Sequence, residues 1–195
     1  MAIDFYLDFI SPFGYLARAR LLDIAARHRE TVRYHPVDIR RLKLAVGNTG
    51  ITNSAIPAKM AYFTRDFLRW ADFYGIEIVS GLAGYDTGVL NRGLYLAIEK
   101  GQADAYVEQA WHCVWHDGLD PAASGTAADI EARLGWAKGE LEAFVNRPEI
   151  VDRFAADTDA AGARGIFGVP TFLIGDEMWW GNDRLDFLER YLAAR

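Results

Sequence analysis

The chain has 195 residues, 51% of them apolar and 25% charged, an ordinary globular composition in which a full core can form without disulfides or a structural metal. A formal net charge of −6 argues against a phosphate backbone as partner, so neither DNA nor RNA is expected. The single cysteine, Cys113, excludes intrachain disulfides, a Cys-x-x-Cys pair and every multi-cysteine zinc pattern, and the absence of a basic n-region or a long apolar run predicts neither signal peptide nor membrane span and makes the cytoplasm the expected compartment.

Residues 3–9 alternate apolar and polar side chains and predict a strand. Ser11-Pro12 then opens a helix to about residue 29, with Tyr15, Leu16, Ala19, Leu22 and Ala26 at helical spacing, and 31–37 predicts a second strand. This is a βαβ unit, whose crossover favours parallel, right-handed pairing. From 40 to about 148 the pattern becomes mostly helical, with helices expected over 57–74, 91–100, 103–117, 126–134 and 138–146, and loops around Gly47, Asn48, Gly50, Asn53, Gly81, Gly84 and Gly88. A helix over 148–164 leads to a hairpin of strands 171–174 and 178–180 around Gly175-Asp176, and Asn182-Asp183 is expected to cap a final helix with Leu185, Leu188 and Leu192 on one face. The order βαβ, helical block, αββα is that of a split α/β domain with a helical insertion.

Ser11 sits where strand gives way to helix. Such a helix start carries unpaired N–H groups and the positive end of the dipole, which favour an anion such as a thiolate. Read from the residues alone, Ser11 is equally a plain cap with Pro12 at the first helical position. Val169-Pro170, Trp180, Gly181, Asn182 and Asp183 are equally turn and cap residues, and Lys43, Asn53 and Ser54 equally surface and loop. His112 and His116 have the i, i+4 spacing of a two-histidine metal face. No Glu follows His112 and no third ligand is evident, so no metal is expected. Trp111 and Trp115 read as core or pocket wall, and Cys113 as a small buried apolar residue.

The split α/β order, with Val169-Pro170-Thr171 just before the third strand, resembles the thioredoxin fold, which keeps a cis-proline there. The runs Asp8-Phe9-Ile10-Ser11-Pro12-Phe13, Tyr15-Leu16-Ala17, Arg69-Trp70-Ala71, Phe167-Gly168-Val169-Pro170-Thr171-Phe172 and Trp180-Gly181-Asn182-Asp183-Arg184-Leu185 resemble the 2-hydroxychromene-2-carboxylate isomerase family over essentially the whole chain. That family is related to kappa-class glutathione transferases and to disulfide oxidoreductases, and has a serine where the latter have their first cysteine.

The resemblance implies a thioredoxin-like α/β domain at 1–39 and 149–195 with an inserted helical domain at 40–148. It implies glutathione as cofactor, a small aromatic carboxylate as substrate in naphthalene-type catabolism, and a homodimer. By the same resemblance Ser11 is the catalytic group that activates the glutathione sulfur, while Val169, Pro170, Trp180, Gly181, Asn182 and Asp183 form the glutathione groove. Lys43, Asn53, Ser54 and Tyr85 match substrate-contacting positions. The implied reaction is thiolate conjugate addition, rotation about the resulting single bond and elimination to trans-o-hydroxybenzylidenepyruvate. Two other classes remain open at this point: a transferase or dehalogenase that consumes glutathione, and a non-catalytic thioredoxin-like binding module.

Overall fold

The computed structural model describes residues 2–79 and 86–195, without the side chain of Ser54. Its centre is a four-stranded sheet in the order β2-β1-β3-β4, built from β1 (Ala2–Leu7), β2 (Thr31–Pro36), β3 (Thr171–Ile174) and β4 (Glu177–Trp180). β1 pairs parallel with β2, from Ala2 opposite Thr31 to Leu7 opposite Pro36. β3 runs antiparallel to β1, with Tyr6 opposite Thr171, and β4 antiparallel to β3, with Thr171 opposite Trp180.

β1 is buried on both faces, which explains why its alternation is not a simple inside-outside one. Ile3, Phe5 and Leu7 enter the main core with Leu16, Leu21 and Ile24 of α1 (Pro12–His28) and Leu185, Leu188 and Leu192 of α9 (Leu185–Ala193). Tyr6 turns to the other face and packs with Val37, Leu42, Ala161, Ile166 and Leu173, under α2 (Ile39–Ala45) and α8 (Pro148–Ala163). Between them in sequence lie α3 (Pro57–Tyr74), α4 (Gly88–Glu99), α5 (Ala103–Trp111), α6 (Ser124–Leu134) and α7 (Glu140–Val145).

Four elements differ from the sequence expectation. Helix α2 occupies part of the stretch read as loop, because the Asp38 carboxylate accepts from the N–H groups of Arg40 and Arg41 at 2.8 and 3.1 Å. Helix α4 begins at Gly88 rather than 91. The helix expected over 103–117 is α5 followed by a π-helical turn over His112–His116, the kind of local widening that accommodates bulky side chains and recurs at functional sites. Asn182-Asp183 makes no side-chain cap: a 3₁₀ turn, Asn182–Arg184, precedes α9 instead.

Candidate active site

Ser11 caps α1. Its hydroxyl oxygen accepts from Gly14 N–H at 3.1 Å, and Pro12 fills the first helical position, where a missing N–H costs nothing. Capping consumes a lone pair of the oxygen and leaves its proton for donation. No acidic residue lies in the first turn, so the positive end of a 17-residue helix is not offset there. Trp111 closes the turn from behind. Its indole N–H lies 3.3 Å from the Phe9 carbonyl, and a Cβ on Gly14 would meet its ring at 3.1 Å. A side chain larger than glycine there would press on the Trp111 ring and the Ser11 side chain. On the open side Phe13 stacks edge-on against Phe63 and Phe67 of α3, with ring centroids 5.1 and 6.1 Å away, so α3 crosses beside the serine.

The sheet register brings most of the sequence-selected residues to one end. β1 and β2 end where β3 begins, and β4 ends beside that start, so Ser11, Val169, Pro170, Trp180, Gly181, Asn182 and Asp183 cluster at one edge. The Val169-Pro170 bond is cis. Among the described residues, the main-chain N–H and C=O of half-buried Val169 have no main-chain partner, while the Pro170 carbonyl accepts from Gly181 N–H at 2.9 Å. Trp180 folds over Gly168, whose missing Cβ would otherwise lie 2.6 Å from the indole nitrogen, and it packs against Phe167 with centroids 5.0 Å apart. Both rings stay partly exposed, forming an aromatic rim. Gly181 takes φ +104°, a conformation side chains rarely adopt, and so turns the chain from β4 into the 3₁₀ segment.

Asn182 is 3% exposed, and neither of its amide atoms makes a well-formed hydrogen bond. Asp183 is paired with Arg184 at 2.6 Å.

The substrate-side residues are less closely joined. Lys43 lies half-buried on α2, which leaves the same end of the sheet. Asn53 is exposed in a 3₁₀ turn ahead of α3, with its amide oxygen 3.1 Å from Lys59 Nζ. Ser54 shares that turn, and Tyr85 falls outside the described residues.

Sequence reasoning passed over Asp8, Thr87 and Asn91, which form a buried polar network directly beneath the Ser11 turn. The available signal was an acid at the end of a strand that is buried on both faces. It also passed over a third group beside the two histidines. Asp117 stands with His112 and His116, their ligand atoms within 4.8 Å of one another. Arg133 already fills that space, donating to Asp117 Oδ2 at 2.6 Å and lying 3.2 Å from His112 Nδ1. Burial pushes the Asp117 carboxyl up, but hydrogen bonds with His116 and Arg133 outweigh it and bring it down to about 2. Cys113 is fully buried, and burial pushes its thiol up to about 11, so it remains a neutral packing residue.

A family model described as DSBA-like thioredoxin domain matches residues 2–193. A 2-hydroxychromene-2-carboxylate isomerase from Pseudomonas putida is 42% identical over 189 residues, covering 97% of this chain and 93% of that protein. A solved structure of a 2-hydroxychromene-2-carboxylate isomerase superposes with a TM-score of 0.93 at 41% identity, over 100% of this chain and 95% of the other. The glutathione-bound structure of the cytosolic disulfide reductase DsbM from Pseudomonas aeruginosa shares the fold, with a TM-score of 0.65 at 18% identity over 100% of this chain and 98% of the other.

Proposed function

Because the chain belongs to the 2-hydroxychromene-2-carboxylate isomerase family and carries its DSBA-like thioredoxin domain, we propose that it converts 2-hydroxychromene-2-carboxylate to trans-o-hydroxybenzylidenepyruvate with glutathione as cofactor. The observation that carries this reading is the Ser11 cap: a hydroxyl with a spare proton at a helix N-terminus whose first turn holds no acid, in a chain whose one thiol is buried elsewhere. A disulfide exchange mechanism would need a reactive cysteine there.

The residues present fit a γ-glutamyl tripeptide. The unpaired N–H and C=O of Val169 offer the two main-chain bonds that an extended peptide takes from a strand edge. The Asn182 amide, which faces the Tyr74 hydroxyl without a well-formed hydrogen bond, and the backbone N–H groups at the start of the 3₁₀ turn offer polar partners to its γ-glutamyl end, and the Trp180–Phe167 rim offers apolar cover. Bound there, glutathione would supply a thiolate nucleophile that is returned unchanged at the end of each turnover.

The Ser11 hydroxyl and the α1 N-terminus stabilise negative charge at the sulfur position, lowering the proton affinity of a thiol from its ordinary value near 8.5. Lys43 anchors the substrate carboxylate and steadies charge on the substrate as it forms, with Asn53, Ser54 and Tyr85 donating to its oxygens. Phe13, Phe63 and Phe67 exclude water from the flat aromatic ring. Substrate and cofactor meet where the α/β part (1–39 and 149–195) borders the inserted helices (40–148), and the active form is a homodimer.

The test is a spectrophotometric assay on the chromene with and without glutathione, repeated with Ser11→Ala. Wild-type turnover is expected to require glutathione without consuming it, and loss of the hydroxyl to lower kcat roughly ten- to a thousand-fold, the worth of one positioned donor. A wild-type rate indifferent to glutathione overturns the reading.

A further inference from the structure

Three residues ahead of Ser11, four hydrogen-bond donors from three separate segments converge on one buried carboxylate. Asp8 is 3% exposed. Its Oδ1 accepts from Thr87 Oγ1 at 2.6 Å, Asn91 Nδ2 at 2.9 Å and Ile10 N at 3.1 Å, while Oδ2 accepts from Ile39 N at 3.0 Å. Ile10 belongs to the Ser11 turn, Ile39 opens α2, and Thr87 and Asn91 stand at the start of α4. Asn91 completes a loop of bonds by accepting from Phe9 N–H at 3.1 Å, and Ser11 N–H donates to the Asp8 carbonyl at 2.9 Å. Together with the Trp111 contact to the Phe9 carbonyl, this pairs the N–H groups of Phe9, Ile10 and Ser11 and the carbonyls of Asp8 and Phe9 on the path into Ser11.

A buried carboxylate is expensive to keep, and all four of these donors are neutral. A carboxylate is nevertheless the one side chain of this size that only accepts. Asparagine would turn an NH₂ toward donors, and an apolar residue would leave several of them unpaired. A satisfied polar network of this kind fixes position more narrowly than packing does, and a hydroxyl that must meet a reacting sulfur needs placement to about 0.5 Å.

We propose that Asp8, with Thr87 and Asn91, is a positioning residue that fastens the Ser11 turn to the starts of α2 and α4, so that the sulfur-activating hydroxyl and the helix that carries Lys43 are held in one geometry. This rests on the reading of Ser11 given above. A cavity of about 320 Å³ touches the network, and the charged groups around it are Asp38, Arg40 and Arg41 from α2 and its cap, and Asp86 and Arg92 from the α4 segment. α8 contributes only Val151, Phe154 and Ala155. Burial raises the Asp8 pKa above the ordinary carboxylate value, against the four donors that lower it. Protonation would set an O–H among donors and loosen the turn, giving activity an acid limb above that ordinary value.

The experiment is the pH dependence of kcat and of kcat/KM for the chromene at saturating glutathione, in wild type, Thr87→Val, Thr87→Ser and Asp8→Asn, with glutathione affinity measured by calorimetry. Thr87→Val keeps the shape and removes the shortest donor. Its acid limb is expected to move to higher pH and its kcat to fall about tenfold, a usual worth for one buried hydrogen bond to a charged group, with glutathione affinity within about twofold of wild type. Thr87→Ser restores both limb and rate, and Asp8→Asn, which does not titrate, keeps only the acid limb that protonation of the glutathione thiolate gives every variant. Should Thr87→Val fail to fold, the Asp8→Asn profile decides alone. A glutathione-dependent wild type whose acid profile is unmoved in Thr87→Val, or identical in shape in Asp8→Asn, overturns this inference and leaves the Ser11 reading intact. A wild type indifferent to glutathione overturns both, before any variant is compared.

Discussion

At Ser11 one oxygen carries two roles that do not compete: it accepts from Gly14 N–H as a cap, and its proton remains for a ligand. The sequence makes the cap visible, because Ser-Pro ahead of an apolar run is a helix start, while the proposed role toward a thiolate rests on the family resemblance. Gly168 is a residue whose importance only packing reveals. Trp180 lies so close to its Cα that any side chain must displace the indole. Gly168→Ala is therefore expected to weaken glutathione binding about tenfold or more by moving the rim beside Val169, with calorimetric titration as the check. Binding equal to wild type would show that Trp180 takes no part in the groove.

At the level of elements, the helical spacing of 57–74 was sufficient to place α3 at its observed bounds, since Pro57 starts it and Gly75, at φ +66°, ends it. Helix α2 escaped notice because a seven-residue helix carries too little periodicity to stand out. Its one clear signal was the Asp38 cap. The start of α4 is likewise misplaced, because Gly88 reads as a loop residue in sequence, while Gly93 lies inside the expected helix despite its low propensity. Gly93 is there for contact: a Cβ would stand 2.3 Å from the Tyr106 hydroxyl and 2.6 Å from Leu141, both fully buried. Gly93→Ala is expected to destabilise the protein by about 1–3 kcal/mol through overpacking, read from urea denaturation midpoints, despite the higher helix propensity of alanine. A gain in stability would mean that α4, α5 and α7 separate more easily than their close packing implies.

For the whole molecule, stability at acid pH depends on carboxylates held charged by partners on distant segments. Asp117, brought down to about 2 from an ordinary 3.8, binds the last turn of the π-segment to Arg133 on α6. Because the folded pKa lies below the unfolded one, its contribution is complete above about pH 4 and is lost as pH falls toward 2. The stability difference between wild type and Asp117→Asn should accordingly shrink between about pH 4 and 2, measured by denaturant midpoints. A difference that does not change over that range would show that Asp117 contributes through packing. Among the described residues no helix is long and apolar enough to cross a membrane, consistent with the ordinary composition of the chain.

The amino-acid sequence by itself determined the order of elements, the split α/β plan and the serine at the first helix start, because these depend on local spacing and on residues adjacent in the chain. Tertiary structure decided what depends on distance: that the Tyr6 face of β1 carries a second core, that a guanidinium fills the space between two histidines and Asp117, and that a buried acid ties Ser11 to two helices more than 25 residues away. Burial and hydrogen-bond geometry arise between segments remote in sequence, and no local pattern encodes which of them will meet.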